Sequence, residues 1–188
     1  MIFITGDVHG DFYGRFREGV FEKQKELTRE DYVCVTGDFG IWNNSRVRQE
    51  ALDWLENRNF TTIFVEGNHS NYDILDNLPV EIWHGGKVHF IRPHIIHLMR
   101  GQVYEICGKK IFTFGGAKSH DIKDGILEPG DHRIAEWSGH SRKMFRINHI
   151  SWWERELPNE EEMEEGRKNL EAHNNKVDFV ITHCASSS

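Results

Sequence analysis

The sequence predicts an α/β fold with a second, antiparallel sheet later in the chain. Four short apolar runs are rich in β-branched and aromatic residues, as expected for strands covered on both faces. These runs lie at 2–5, 32–36, 62–66 and 177–182. The intervals between the first three runs carry helical spacing, whereas the region after residue 88 carries short strand patterns between Gly, Pro and Lys turns.

The two helices between the first three strands are predicted from apolar residues that recur every fourth position. The first stripe spans residues 12–20, and Asp11 is placed to cap that helix. The second spans residues 47–55, with Asn44 or Ser45 as its cap. The first third of the chain is therefore predicted to have the order β-α-β-α-β.

Later elements are predicted from local patterns. Residues 118–150 have weak periodicity and are expected to form a long irregular region that covers the site. A last helix is predicted after Asn159, its cap, with Glu162 as the capping-box partner. The antiparallel sheet is predicted from strand candidates at 89–91, 103–106 and 111–114.

Length and charge narrow the class of protein. The 188 residues suit a single domain, 1–188, and the aromatic fraction of 12% supplies a core and argues against disorder. A formal net charge of -7 makes nucleic acid an unlikely partner except as a substrate. No apolar run reaches the roughly 20 residues that span a bilayer, and Asp7 comes too early for a signal peptide. We therefore expect a soluble cytoplasmic protein.

Each of the four apolar runs ends in a polar motif. Taken alone, each motif is explained as a turn, a helix cap or a structural histidine. Because ligands collect at the carboxyl ends of parallel strands, we expect the motifs to share one site. Their carboxylates, amide and imidazoles are ligands that suit Mn, Fe or Zn. The motifs are Gly6-Asp7-Val8-His9-Gly10, Gly37-Asp38-Phe39-Gly40, Gly67-Asn68-His69 and Thr182-His183.

In the order and spacing of these motifs, the chain resembles the calcineurin-like metallophosphoesterases. Residues 114–119 and 151–158 are also similar to features of a bacterial branch of that family. The resemblance covers nearly the whole chain. It implies a four-layer α-β-β-α sandwich, with two mixed sheets flanked by helices.

The resemblance also implies a cofactor of two divalent ions, Mn, Fe or Zn, with ligands assigned by position. Asp7 and His9 would bind one ion, Asn68 and His183 would bind the other, and Asp38 would bridge them. The implied reaction is hydrolysis of a phosphate mono- or diester, in which a hydroxide held between the ions attacks phosphorus.

His69 is the catalytic residue that the resemblance implies. With Asn68 it would bind the phosphate, and it would protonate the leaving oxygen. Ser70 and Ile41 stand at positions where related sequences often carry acidic residues. Another group would therefore have to orient His69.

The chain departs from the family pattern at its end. The family's last motif, Gly-His-x-His, follows the fourth-strand histidine by tens of residues, whereas this chain ends five residues after His183. We therefore expect a C-terminally truncated domain with an incomplete second sheet. Gly139-His140 resembles half of that motif but precedes His183, so His140 is not expected to be a ligand. A non-catalytic metal-binding or interaction module stays open as the alternative.

Overall fold

Two β-sheets pack face to face, and helices lie against the outer face of each sheet. The computed structural model describes residues 1–41, 43–139 and 142–184. The helices are α1 (Phe12–Phe16), α2 (Arg46–Glu56), α3 (Tyr72–Asp76), α4 (Arg133–Ser138) and α5 (Glu160–Ala172). The layer order α-β-β-α agrees with the predicted fold class.

The first sheet has six strands in the order β1-β2-β3-β6-β5-β4. Strands β1, β2, β3 and β6 run parallel, whereas β4 and β5 add antiparallel pairs at one side. The predicted β-α-β-α-β order is confirmed. The strands are β1 (Ile2–Thr5), β2 (Tyr32–Val35), β3 (Thr61–Phe64), β4 (Glu81–Trp83), β5 (Gly86–Arg92) and β6 (Ile95–Leu98).

The second sheet has the order β11-β8-β7, with β7 antiparallel and β11 parallel to β8. Its strands are β7 (Gln102–Ile106), β8 (Lys109–Phe114) and β11 (Phe179–Thr182). Both sheets are therefore mixed. A separate parallel pair joins β9 (Gly125–Leu127) to β10 (Phe145–Ile147).

Two apolar clusters hold the layers together. One lies between the first sheet and helices α1 and α2, and includes Phe12, Phe16 and Leu52. The other lies between the two sheets and includes Ile63 and Tyr104. Removing these side chains from water is the main force that fixes the sandwich.

Helix α5 covers the outer face of the second sheet. Asn159 accepts a hydrogen bond from the Glu162 amide, and the Glu162 carboxylate accepts from the Asn159 amide, so the predicted capping box is confirmed. Gly166 faces the sheet closely: a Cβ there would lie 3.3 Å from Gly101 Cα and 3.4 Å from the Phe112 ring. The helix therefore packs on the sheet through a residue without a side chain.

The predicted first and second helices are present, but their apolar stripes are shorter than expected. Asp11 caps α1 and Ser45 caps α2. Helix α1 ends at Phe16, because the backbone becomes extended at the next residue, and Val20 lies beyond it with half of its surface exposed. Val47 lies within α2 but faces solvent.

Three other expectations need correction. The segment 89–91 belongs to β5 in the first sheet, because it pairs antiparallel with the adjacent strand β6. Strand β11 is not covered on both faces, since Val180 is 62% exposed. The region 118–150 is not irregular throughout, because it contains β9, α4 and β10, which are too short to give a clear period.

Candidate metal centre

The turns that follow β1 and β2 are joined by backbone hydrogen bonds. The His9 amide donates to the Asp38 carbonyl at 2.7 Å, and the Gly10 amide donates to the Phe39 carbonyl at 2.9 Å. His9 and Asp38 have φ angles of 49° and 43°, a left-handed conformation that is uncommon outside glycine. These bonds hold the two turns side by side, and His9 Nε2 lies 3.8 Å from Asp38 Oδ2.

Asp38 lies at the centre of the cluster, with only 4% of its side chain exposed. Its Oδ1 accepts a hydrogen bond from the His69 amide at 2.9 Å, which fixes the carboxylate. Its Oδ2 lies 3.8 Å from His9 Nε2 and 3.7 Å from His183 Nε2. One oxygen of Asp38 therefore faces histidines that come from opposite sheets.

Asp7 completes the side of the cluster that is open to solvent. Its Oδ2 lies 3.8 Å from His9 Nε2, and its Oδ1 lies 3.6 Å from His183 Nδ1. One ligand atom from each of Asp7, His9 and Asp38 lies within 4.8 Å of the other two. These three residues can hold one cation between them.

His183 and Asn68 lie on the other side of Asp38. His183 Nδ1 lies 3.0 Å from the Thr36 carbonyl, which can only accept, so Nδ1 carries a proton. In the neutral imidazole, Nε2 then carries a lone pair and no proton, and it lies 3.2 Å from Asn68 Oδ1. An imidazole that donates its other N–H to a backbone carbonyl is the usual arrangement of a metal-binding histidine.

Acceptor atoms therefore converge on one another at this side of the cluster. With a neutral His183, the atoms His183 Nε2, Asn68 Oδ1 and Asp38 Oδ2 all present lone pairs to the same space. Lone pairs in contact repel unless a proton or a cation lies between them. The donor set consequently fits a divalent metal ion.

Two glycines make this convergence possible. A Cβ on Gly67 would lie 2.1 Å from Asp38 Oδ1, and a Cβ on Gly37 would lie 1.9 Å from His183 Nδ1. Gly37 also has a φ of 112°, which other residues rarely adopt. The Gly-Asp and Gly-Asn-His motifs thus need glycine because the loops pass too close for any side chain.

His69 lies beside the cluster, at the edge of a pocket of about 300 Å³. Its ring centroid is 5.8 Å from that of His9. Burial and the positive charge of Arg146 lower the pKa of His69, against the opposing effect of Asp38. The pocket is lined by His9, His69, Arg146, Ile150, Ser151 and Trp153.

Comparison with known proteins gives one match. The model of the calcineurin-like phosphoesterases matches this chain over residues 1–183. The chain belongs to that family. A search of curated proteins and a search of solved structures gave no match.

Membership of the calcineurin-like phosphoesterases indicates metal-dependent hydrolysis of phosphate esters. It agrees with the Asp7, His9 and Asp38 cluster, which can hold a cation. Among the described residues, no helix combines the length and apolar character needed to cross a bilayer. The cytoplasmic location expected from the sequence remains a prediction.

The structure brings together all six residues that the sequence singled out. Of the other histidines, His149 lies 3.0 Å from the exposed Asp73, and the side chain of His132 is 89% exposed. His140 lies outside the described residues. The six residues that converge are Asp7, His9, Asp38, Asn68, His69 and His183.

Sequence reasoning missed the residues that surround the cluster. Arg146 and Trp153 line the pocket, and Ser119 and Glu156 lie behind Asn68. Three of the four, all except Arg146, lie within the two segments that resemble a bacterial branch of the family, 114–119 and 151–158. That resemblance is the sequence feature that could have pointed to these three residues, although it assigns them no role.

Proposed function

We propose that this calcineurin-like phosphoesterase hydrolyses phosphate mono- or diesters with two divalent metal ions. Asp7 and His9 would hold one ion, Asn68 and His183 the other, and Asp38 both. The observation that carries the proposal is the position of Asp38 Oδ2, within 3.8 Å of His9 Nε2 and 3.7 Å of His183 Nε2. A carboxylate between two imidazoles suits two adjacent cations.

The donor set narrows the metal to Mn, Fe or Zn, since carboxylate and amide oxygens are combined with imidazole nitrogens. When bound, such ions lower the pKa of water and neutralise charge on phosphoryl oxygens. The protein's own part is to fix the ligands, as the His69 amide does for Asp38 and the Thr36 carbonyl does for His183.

The pocket beside His69 would receive the rest of the substrate. Ile150 and Trp153 give it apolar walls, and Arg146 contributes a positive charge that is partly balanced by its ion pair with Asp121. His69 lies between this pocket and the cluster, where its ring can donate a proton to the oxygen that leaves phosphorus.

The direct test is hydrolysis of p-nitrophenyl phosphate and bis(p-nitrophenyl) phosphate. We expect turnover of one or both with Mn²⁺, loss of turnover with EDTA, and recovery when Mn²⁺ is returned. Substitution of the exposed His132, H132N, should leave the rate unchanged and serves as control. Absence of metal-dependent turnover of both esters, with Mn, Fe and Zn each supplied, would reject the proposal.

The acid role of His69 predicts a dependence on the leaving group. The variant H69N should hydrolyse phenyl phosphate roughly 100-fold more slowly than the unsubstituted protein, because the phenolate oxygen needs a proton as it leaves. The loss should be much smaller for p-nitrophenyl phosphate, whose leaving group is stable as an anion. Steady-state kcat on the two esters measures this. Equal losses on both would show that His69 acts in another way.

A further inference from the structure

Two buried residues outside the cluster make a chain of hydrogen bonds to Asn68. Asn68 Nδ2 donates to Ser119 Oγ at 3.1 Å. The Ser119 hydroxyl donates to Glu156 Oε2 at 2.7 Å, and the Ser119 amide donates to Glu156 Oε1 at 2.7 Å. Ser119 is 1% exposed and Glu156 is 2% exposed, so water does not compete for these bonds.

The hydrogen bonds from Asn68 through Ser119 to Glu156 run in a fixed direction. A carboxylate only accepts hydrogen bonds, so the single hydroxyl proton of Ser119 is committed to Glu156. Ser119 Oγ can then offer only lone pairs to Asn68, and the NH₂ end of the amide must face it. Asn68 Oδ1 is consequently turned toward His183 Nε2, at 3.2 Å, inside the cluster.

The direction matters because an amide has two chemically opposite ends. Rotated by half a turn, Asn68 would present its NH₂ group to the cluster, and an NH₂ group repels a cation. The far end of the chain is held in place, since Arg100 donates to the Glu156 carbonyl at 3.2 Å. Gly116 also packs closely against the Glu156 carbonyl, because a Cβ on Gly116 would lie 2.5 Å from that oxygen.

We propose that Ser119 and Glu156 are positioning residues that set the direction of the Asn68 amide and thereby aim its oxygen at a divalent cation. This inference rests on the proposed function, because it assumes that Asn68 binds metal. It assigns a role to the two segments that resemble a bacterial branch of the family, since Ser119 and Glu156 each lie in one of them.

The decisive variant is E156Q, which keeps the shape of Glu156 but reverses the direction of the chain. The Ser119 amide still needs an acceptor, so the glutamine oxygen would face it and the glutamine NH₂ would face Ser119 Oγ. The hydroxyl would then donate to Asn68 and draw its Oδ1 away from the cluster. We expect Mn²⁺ to bind roughly 10-fold more weakly or worse, by calorimetric titration.

A second substitution separates direction from general damage. Aspartate at position 68 has no NH₂ end, and it accepts from the reversed hydroxyl of Ser119. The double variant E156Q/N68D should therefore bind Mn²⁺ within about threefold of N68D alone, although E156Q loses roughly tenfold in the unsubstituted background. An equal loss from E156Q in both backgrounds would overturn the proposal.

Two further variants keep the proposal testable if E156Q folds poorly. S119A removes the contact without reversing it and should weaken Mn²⁺ binding by roughly three- to tenfold. T113V removes another buried hydroxyl, which donates to the Met99 carbonyl at 2.7 Å, and should leave Mn²⁺ affinity unchanged. Wild-type affinity in S119A would overturn the proposal.

A measurement without metal separates this inference from the proposed function. In the metal-free protein, the ¹⁵N side-chain resonance of Asn68 should report an NH₂ group held by Ser119, and it should shift in E156Q and in S119A but not in T113V. If these shifts appear while the unsubstituted protein binds no Mn²⁺, the metal-site proposal fails and the hydrogen-bond chain stands. An unshifted Asn68 resonance in both variants would reject the chain itself.

Discussion

The substitution D38N should abolish metal-dependent hydrolysis, with kcat/KM lowered roughly 1,000-fold or more, or ~4 kcal/mol of transition-state stabilisation. Asp38 Oδ2 is the atom that faces both His9 Nε2 and His183 Nε2. An amide at this position has one oxygen and no charge, so it cannot serve two cations while also accepting from the His69 amide. Steady-state kinetics with Mn²⁺ in excess measures the loss.

The same substitution should have the opposite effect on stability in the absence of metal. The side-chain oxygen of the new asparagine would still accept a hydrogen bond from the His69 amide. Its NH₂ group could donate to the imidazole nitrogen of His183, which faces a carboxylate oxygen of Asp38 in the unsubstituted protein. We expect the free energy of unfolding in urea with EDTA to rise by about 1 kcal/mol. Such a gain is typical where a site is built for a ligand rather than for stability.

The control for both effects is D53N, which replaces an aspartate on the exposed side of α2. Its activity should be unchanged. If D38N kept more than a tenth of the wild-type kcat/KM, Asp38 would not be the residue on which the metal ions depend. If D38N lost activity together with its cooperative unfolding transition, the loss would reflect misfolding and the metal argument would not be supported by it.

The largest effect on stability should come from the buried ion pair behind the Gly-Asn-His turn. Arg100 Nε lies 2.5 Å from Glu66 Oε1, and both side chains are at most 4% exposed. Burial alone would raise the pKa of Glu66, but the hydrogen bond from His97 and the charges of His97 and Arg100 lower it to about 2. The charge of the buried Glu66 carboxylate is therefore stabilised by His97 and Arg100.

The variant R100M should lower the free energy of unfolding by roughly 3–5 kcal/mol, because it leaves that carboxylate buried without the guanidinium that pairs with it. It also removes the hydrogen bonds to the Gly115 carbonyl and the Tyr72 hydroxyl. Urea unfolding at pH 7 measures the change. A loss of under about 1 kcal/mol would show that the pair does not hold this part of the fold.

Two controls sharpen that result. R46M breaks an exposed pair with Glu50, in which the arginine side chain is 91% exposed, and should cost at most about 0.5 kcal/mol. The double variant R100M/E66M should recover part of the loss, because apolar side chains then replace both charges. If the double variant were less stable than R100M, the loss of unfolding free energy in R100M would come from lost packing rather than from the unpaired carboxylate.

The parts of the fold that the sequence predicts correctly depend on local signals. The Asp11, Ser45 and Asn159 caps act within three residues of themselves, and each lies where the pattern predicts it. Sheet membership depends on distant pairing, and so the local pattern assigns the segment 89–91 to the wrong sheet. Likewise, no local pattern shows that Val20 lies beyond the end of α1.

The site divides in the same way. Asp7, His9 and Asp38 are predictable because they follow strands directly, and the ends of parallel strands meet. Ser119 and Glu156 could not be assigned a role from the sequence, because they lie 37 positions apart and their contact depends on how two loops fold against each other. A buried serine and glutamate have no spacing rule that marks them as a pair.

We propose that side chains from the strand ends of both sheets meet around divalent cations. Calorimetric titration of Mn²⁺ into the metal-free chain, compared with D38N and H183A, tests it most directly. We expect saturable binding to the unsubstituted chain and at least a roughly 100-fold weaker affinity in each variant. Binding that is absent from the unsubstituted chain, or undiminished in both variants, would contradict the claim.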